Sequence, residues 1–176
     1  MRNILLLSVL VFGLSSCKNL VYYTDSMKAQ YGWNEDQLRK IQFYVSNDIV
    51  LRRELSQGST EIISGKIKTV NGKRVEEILI RERTPGILTQ MPRENKMLVS
   101  FEISDSHYLS FGVNPSMGDK YVLLAESWNG NVGTVNYHGN KYYTQSDSRY
   151  STLLVDLRKI QKLKMKQRVA KGRKVN

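Results

Sequence analysis

Alternation between apolar and polar residues is the pattern that most restricts the fold of this chain. Short alternating runs are separated by turn-forming residues at intervals of about eight to twelve positions, and the most regular run extends from Met97 to Ile103. A period of two places successive side chains on opposite faces of a strand. The sequence therefore predicts a mainly β domain, an antiparallel sandwich or barrel of about nine or ten short strands.

The predicted strands are separated by glycine, asparagine, aspartate and serine, which turns prefer. They cover residues 41–45, 49–53, 62–70, 73–81, 97–103, 108–113, 121–126, 132–137, 141–144 and 152–157. Pro85 and Pro92 interrupt the series. Because proline has no N–H to donate to a neighbouring strand, we expect residues 84–93 to form a connection and not a central strand.

The clearest hairpin surrounds Asn71-Gly72, a dipeptide that accepts the positive φ angles of a two-residue type I′ turn. Such a turn pairs residues whose numbers sum to 143. This register places Ile63 opposite Ile80 and Lys66 opposite Glu77, an apolar pair and an oppositely charged pair, as cross-strand contacts favour.

A short N-terminal helix is predicted near residues 35–41. Asn34 is a suitable N-cap, and Gln37 follows it at the spacing of a capping box. Glu35 and Asp36 then lie in the first turn, where negative charge is favourable.

Residues 1–16 have the anatomy of a secretory signal peptide. A positive charge at Arg2 precedes an apolar segment, residues 4–13, and small residues lead to Cys17, the single cysteine. The apolar segment is shorter than the roughly 20 residues that a membrane span needs. We therefore expect residues 1–16 to be removed and residues 17–157 to form one β-rich domain.

The segment Leu14-Ser15-Ser16-Cys17 resembles the lipobox of bacterial lipoproteins, and the chain is similar in composition to lipoproteins of the Bacteroidota. The resemblance implies that Cys17 becomes the first residue and carries acyl chains that anchor it in the outer membrane. Among such lipoproteins an aspartate directly after the cysteine signals retention in the inner membrane, and Lys18 in that place favours the outer membrane. The acidic cluster that marks export to the cell surface is missing after Cys17. We therefore expect the domain to face the periplasm. The alternative is an ordinary signal peptide followed by a free or buried thiol.

The net charge of +11 arises from a basic C-terminal tail. Residues 158–176 contain nine of the 27 Lys and Arg and no acid, whereas the rest of the mature chain has 17 basic and 16 acidic residues. Leu157, Ile160 and Leu163 suit a helix face, but residues 163–166 alternate like a strand. The sequence predicts a tail that is helical or partly disordered.

Such a tail is suited to an anionic membrane surface, the cell wall or an acidic partner protein, or it is simply solvated. Nucleic acid is an unfavourable partner because the tail has no aromatic residue to stack on bases. The basic residues assigned to partner or polymer binding are Arg158, Lys159, Lys162, Lys164, Lys166 and Arg168.

Aromatic residues of two adjacent predicted hairpins form a second candidate binding surface. They suit a glycan or a protein surface, because aromatic rings combine a flat apolar area with a polar edge. The alternative is that they pack in the interior, since strands favour aromatic residues for packing alone. The residues concerned are Trp128, Tyr137, His138, Tyr142 and Tyr143.

We predict no catalytic residue, metal site or cofactor. The tetrapeptide Ser104-Asp105-Ser106-His107 contains the residue types of a hydrolase triad, but four consecutive turn residues do not converge as a triad requires. His107 and His138 lie on separate turns without a ligand at metal-binding spacing. A lipidated Cys17 also leaves no thiol for a disulfide, a zinc site or a nucleophile.

These observations favour a non-catalytic role. The leading hypothesis is a lipid-anchored structural or accessory subunit of an envelope assembly, of the secretion, motility or outer-membrane biogenesis type. The first alternative is a binding module for peptidoglycan or another envelope polymer, using the aromatic hairpins and the basic tail. An enzyme ranks third.

Overall fold

The computed structural model describes residues 19–56, 65–104 and 106–165, and for residues 162–165 it describes the backbone without the side chains. The predicted signal peptide, Cys17, Ile63 and Asp105 lie outside the described residues. So does the tail from Lys166 onward, which includes Arg168.

The described chain is mainly β, which confirms the predicted fold class. Its helices are α1 (Asp25–Tyr31), α2 (Glu35–Leu38), α3 (Leu157–Met165) and two short 3₁₀ helices (Pro115–Met117 and Ser146–Tyr150). Its thirteen strands are β1 (Leu20–Tyr22), β2 (Phe43–Val45), β3 (Ile49–Glu54), β4 (Lys66–Val70), β5 (Lys73–Ile80), β6 (Pro85–Arg93), β7 (Lys96–Ser100), β8 (Tyr108–Asn114), β9 (Lys120–Leu123), β10 (Ser127–Asn129), β11 (Val132–Tyr137), β12 (Asn140–Thr144) and β13 (Leu153–Asp156). The strands missing from the prediction are β6 and the three-residue strands β1 and β10.

The strands form two antiparallel sheets. The seven-stranded sheet has the order β1-β13-β2-β6-β7-β8-β9, and the six-stranded sheet has the order β10-β11-β12-β3-β5-β4. One continuous hydrophobic core takes side chains from both sheets, including Phe43 and Phe111 from one and Leu51 and Tyr142 from the other. The architecture is therefore a sandwich and not a closed barrel.

The hairpin predicted around Asn71-Gly72 is confirmed. Asn71 and Gly72 have φ angles of 50° and 76°, as a type I′ turn requires, and Lys66 pairs with Glu77 in the expected register. The partner of Ile80 within the described residues is Ile49 of β3.

The capping box is also confirmed. The Asn34 side chain accepts a hydrogen bond from the Gln37 N–H at 2.9 Å, and the Gln37 side chain accepts one from the Asn34 N–H at 3.0 Å. The preceding helix α1 was missed, although it too has end signals. Thr24 caps its start by accepting from the Met27 N–H, and Gly32 ends it in the left-handed conformation at φ 63°.

The prediction for residues 84–93 was wrong, because β6 lies at the centre of the seven-stranded sheet. The strand tolerates both prolines because its pairing is incomplete. With β2 it pairs only at Gly86 and Pro85, near its start, and its pairing with β7 is irregular between Leu88 and Arg93. Pro92 thus lies in the irregular part, where a missing N–H interrupts no regular ladder.

The first part of the basic tail is helical. Ile160 of α3 is 2 % exposed and belongs to the hydrophobic core, whereas Arg158 and Lys159 are exposed. The helical alternative therefore holds for residues 157–165.

A buried carboxylate joins strands of the six-stranded sheet. Glu76 has no exposed surface, and its Oε2 accepts hydrogen bonds from Arg53 Nη2 at 2.6 Å and from the Tyr142 hydroxyl at 3.0 Å. Its Oε1 accepts from the Gly65 N–H at 3.0 Å. Arg53 also donates to Asn140 Oδ1 at 2.7 Å. One charge pair therefore connects β3, β5 and β12 with the residue that precedes β4.

We expect Glu76→Gln to lower the free energy of unfolding by about 3 kcal/mol, because it leaves the partly buried Arg53 cation without its counter-charge. The control is Glu54→Gln, which removes the carboxylate of an ion pair whose two side chains are each 64 % exposed. A surface pair contributes at most about 1 kcal/mol, so urea unfolding should separate the two variants clearly. Equal losses of stability would show that the buried pair is not the stronger contact.

Candidate functional site

The structure separates the five aromatic and histidine residues that the sequence grouped into one surface. Tyr137 and Tyr142 are fully buried, because the alternation along β11 and β12 directs them, with Val135, into the core. The packing interpretation holds for these two residues. Their rings stabilise the interior and contribute no exposed binding area.

The other three residues are exposed, but they do not form one surface. Trp128 pairs with Gly133 and lies over it, on the face of the sheet that points to the core, and the Arg149 guanidinium lies 5.7 Å from its ring centre. Tyr143 pairs with Thr134, the residue after Gly133, and therefore points to the opposite face. His138 occupies the turn between β11 and β12.

A polar cluster surrounds His138 and joins it to the loop between β7 and β8. Ser106 Oγ lies 3.0 Å from His138 Nδ1, and Ser104 Oγ lies 2.8 Å from Ser106 Oγ. The His107 and His138 rings meet edge to face at 4.3 Å between centres, and His107 Nδ1 contacts the Glu102 carboxylate. The sequence had placed the two histidines on unconnected turns, and only the folding of the two sheets onto each other brings them together.

Burial and nearby carboxylates keep the tyrosines beside this cluster neutral. Burial, and then the charge of Glu102, raises the pKa of Tyr137 well above its usual range. Burial, and then Glu76, does the same for the pKa of Tyr142. Both hydroxyls therefore remain protonated at neutral pH. The Tyr142 hydroxyl donates to Glu76 Oε2, whereas the Tyr137 hydroxyl is buried without a hydrogen-bond partner among the described residues.

The side chains around His138 are not arranged as a catalytic triad. Ser106 and His138 resemble a nucleophile and its base, but the carboxylate that would orient the base contacts His107 instead. Within the part of the chain that the structure describes, no three His, Cys, Asp or Glu side chains are placed to hold a metal ion.

A second candidate is the outward surface of the six-stranded sheet, which we call the outer face. Cross-strand register aligns Val50 of β3 with Leu79 of β5, and the same face carries Val132 of β11 and Tyr143 of β12. Leu79 is 45 % exposed, Val132 39 % and Tyr143 47 %. Three large apolar side chains of one sheet face thus remain in contact with solvent.

Charged residues lie among these apolar side chains. Arg52 Nε donates to Glu77 Oε2 at 2.8 Å, its Nη1 donates to Gln145 Oε1 at 3.0 Å, and Lys68 pairs with the other Glu77 oxygen. The Lys68 ammonium, and after it the Arg52 guanidinium, hold the pKa of Glu77 below its ordinary value of 4.5, although burial opposes them. The centre of the outer face is therefore polar but internally paired.

A depression of about 300 Å³ opens beside Tyr143 on the same face. Val70 and Val75 contribute apolar surface to it, and Arg52, Glu54 and Lys73 contribute charge. An exposed aromatic ring beside an apolar depression can receive a side chain from another protein.

A larger depression, of about 420 Å³, lies against β8 and the segment between β9 and β10. Leu98, Leu124, Ala125 and Val135 supply apolar surface, and five polar side chains supply hydrogen-bonding groups. Within the described ranges, none of these five side chains forms a hydrogen bond or an ion pair with the protein. The five are Lys96, Tyr108, Ser110, Glu126 and Asn136.

The basic residues assigned to binding are only partly placed. Arg158 and Lys159 are exposed in the first turn of α3, and Arg158 Nε lies 3.7 Å from Asp156 Oδ1. Lys162 and Lys164 belong to the same helix. Lys166 and Arg168 lie outside the described residues.

Sequence reasoning missed the outer face because residues 78–80 read as one continuous apolar run. The hairpin register contained the necessary signal, since residues two apart share a face and Leu79 must oppose its neighbours Ile78 and Ile80. The depression against β8 had no comparable signal, because its residues come from distant parts of the chain.

Comparisons with protein-family models, curated proteins and solved structures gave no match to this chain. Among the helices that the structure describes, none has the length and apolar character to cross a bilayer.

We expect Glu77 to contribute to loss of stability in acid. The pKa of Glu77 is lower in the folded than in the unfolded chain, so the unfolded chain binds more protons in acid. The stabilisation that ionised Glu77 contributes therefore falls as the pH drops below 4.5 and through the folded pKa. Urea unfolding of wild type and Glu77→Gln at about pH 7 and about pH 3 measures this. The difference in unfolding free energy between the two proteins should be smaller at about pH 3 than at about pH 7. A gap that stays constant would mean that the Lys68 and Arg52 contacts do not stabilise the charged form.

Proposed function

We propose that this protein is a lipid-anchored, non-catalytic structural or accessory subunit of a bacterial envelope assembly, of the secretion, motility or outer-membrane biogenesis type. Acyl chains on Cys17 hold it in the outer membrane, and the β-sandwich faces the periplasm. The lipobox-like segment and the length of the mature chain, which suits one domain, support this role.

The observation that carries the proposal is the exposure of Leu79, Val132 and Tyr143 on the outer face. Large apolar side chains that are exposed together on one surface favour a site where another protein binds. The paired charges of Arg52, Glu77 and Lys68 at its centre suit a protein partner, because groups that are already satisfied are cheaper to cover than unpaired charges. The depression beside Tyr143 offers a place for a partner's side chain.

The open edge of the same sheet supports this role too. β4 is the last strand, and it pairs only with β5 among the described strands. An unpaired strand edge offers backbone groups to a strand of another chain. Lys66 of β4, which forms no ion pair among the described residues, favours an acidic partner segment there.

The second candidate function is a binding module for peptidoglycan or another envelope polymer. The depression against β8 favours it, because it combines an apolar floor with polar side chains that have no partner within the described part of the protein. Tyr108 at its rim is 37 % exposed and presents a flat aromatic surface.

We expect Cys17→Ala to release the protein from the membrane fraction into the soluble periplasm. Without the sulfur there is no site for the diacylglycerol, and several acyl chains are needed for a stable anchor. Fractionation of cells that express wild type or Cys17→Ala from the same promoter measures the distribution. A variant that stays in the membrane fraction would contradict lipid anchoring.

We expect Leu79→Glu to remove the proteins that co-purify with wild type in mild detergent. The matched control is Ile87→Glu, because Ile87 has a nearly equal exposure, 46 % against 45 %, but belongs to the other sheet. Mass spectrometry should find near-stoichiometric partners with wild type and Ile87→Glu and far less with Leu79→Glu.

Equal recovery of partner proteins with Leu79→Glu and Ile87→Glu would contradict the outer face as the surface that binds them. Recovery with cell-wall fragments in place of proteins would favour the polymer-binding alternative.

A further inference from the structure

The N-terminal end of the domain and the start of the basic helix α3 are in direct contact. β1 and β13 run antiparallel, with Leu20 opposite Asp156. Beyond this pair the Leu157 N–H donates to the Asn19 carbonyl oxygen at 3.3 Å. The two ends of the described domain therefore meet at one point of the seven-stranded sheet.

This contact limits how far the lipid lies from α3. Cys17 precedes Asn19 by two residues, and two residues of extended chain span at most about 7 Å. Whichever direction those residues take, the acylated sulfur stays close to the first turn of α3. This step rests on the proposed function, because it takes Cys17 to be the lipid anchor.

The first turn of α3 carries exposed positive charge. Arg158 and Lys159 are both exposed, and residues 157–176 contain no acid. The acid next to them is Asp156, which is 4 % exposed and pairs with Arg158 at 3.7 Å. Among the described residues, no acidic side chain forms an ion pair with Lys159. The helix continues with Lys162 and Lys164, so its cationic character is not confined to one residue.

We propose that α3 binds the anionic lipid surface of the leaflet that holds the Cys17 acyl chains. Basic residues near an anionic membrane are attracted to it over a distance comparable to the Debye length, about 8–10 Å at physiological salt. The path from Cys17 to Leu157 is at most about 7 Å of chain plus about 5 Å across the strand pair, which is comparable to this distance, so the start of α3 lies near the surface charge. The acyl chains alone fix only the position of the domain, whereas this second contact also restricts its rotation above the membrane.

The test uses the full mature chain with Cys17→Ser, so that no acyl chain contributes to binding. It is mixed with vesicles of phosphatidylethanolamine that contain about 30 % phosphatidylglycerol, or with the same vesicles in which phosphatidylcholine replaces the anionic lipid. Co-sedimentation should show binding to the anionic vesicles that decreases as salt is added, and much weaker binding to the neutral vesicles.

The decisive comparison uses two double variants, each of which removes two cations from a different part of the domain. Arg158→Gln with Lys159→Gln should weaken binding to the anionic vesicles by about tenfold or more. Lys66→Gln with Lys141→Gln makes the same change in net charge on the six-stranded sheet and should have a much smaller effect. Equal losses, or equal binding to neutral vesicles, would overturn the proposal. So would binding to isolated cell wall without binding to vesicles.

This outcome is separable from the proposed function. If the Cys17→Ser chain does not bind anionic vesicles while wild type still fractionates with membranes through Cys17, only the role of α3 is lost. If wild type itself fractionates as a soluble protein, the lipid anchor is lost, whatever the vesicles show.

Discussion

The buried Glu76 carboxylate is the contact on which the arrangement of the six-stranded sheet depends. An unpaired charge in the interior is strongly unfavourable, so Glu76 requires donors on the neighbouring strands. Arg53 of β3 and Tyr142 of β12 supply them, and the Gly65 N–H adds a third just before β4. A shift of β3 or β12 by one residue would turn its donor to the opposite face and remove that partner from the carboxylate. The pair thereby specifies register as well as adding stability.

A line of ring contacts continues from this network to the other sheet. Tyr142 meets Tyr137 edge to face at 6.1 Å, and Tyr137 lies 5.5 Å from His107 in the loop after β7. His107 in turn contacts Glu102, whose charge acts on Tyr137. Both histidines and both carboxylates, Glu76 and Glu102, thus have polar partners beside the aromatic core residues.

The sequence predicted local features better than spatial ones. The turn at Asn71-Gly72 and the capping box at Asn34 follow from a few neighbouring residues, and both are confirmed. The prolines of β6 misled the prediction, because their effect depends on which neighbour the strand has at each point. Tyr137 and Tyr142 could not be told from surface tyrosines by composition, since the same alternation fits either face until the core side is known. The polar cluster at His138 required the association of two distant hairpins.

The topology keeps the predicted anchor and the outer face on different layers of the sandwich. β1 is an edge strand of the seven-stranded sheet, and Cys17 lies two residues before its neighbour Asn19. The apolar side chains Leu79, Val132 and Tyr143 belong to the six-stranded sheet and point away from the shared core. Because the two sheets of a sandwich are about 10 Å apart and their outward faces point in opposite directions, attachment at β1 does not by itself cover the outer face. The proposed membrane contact at one edge and the proposed protein contact on the opposite layer are therefore geometrically compatible.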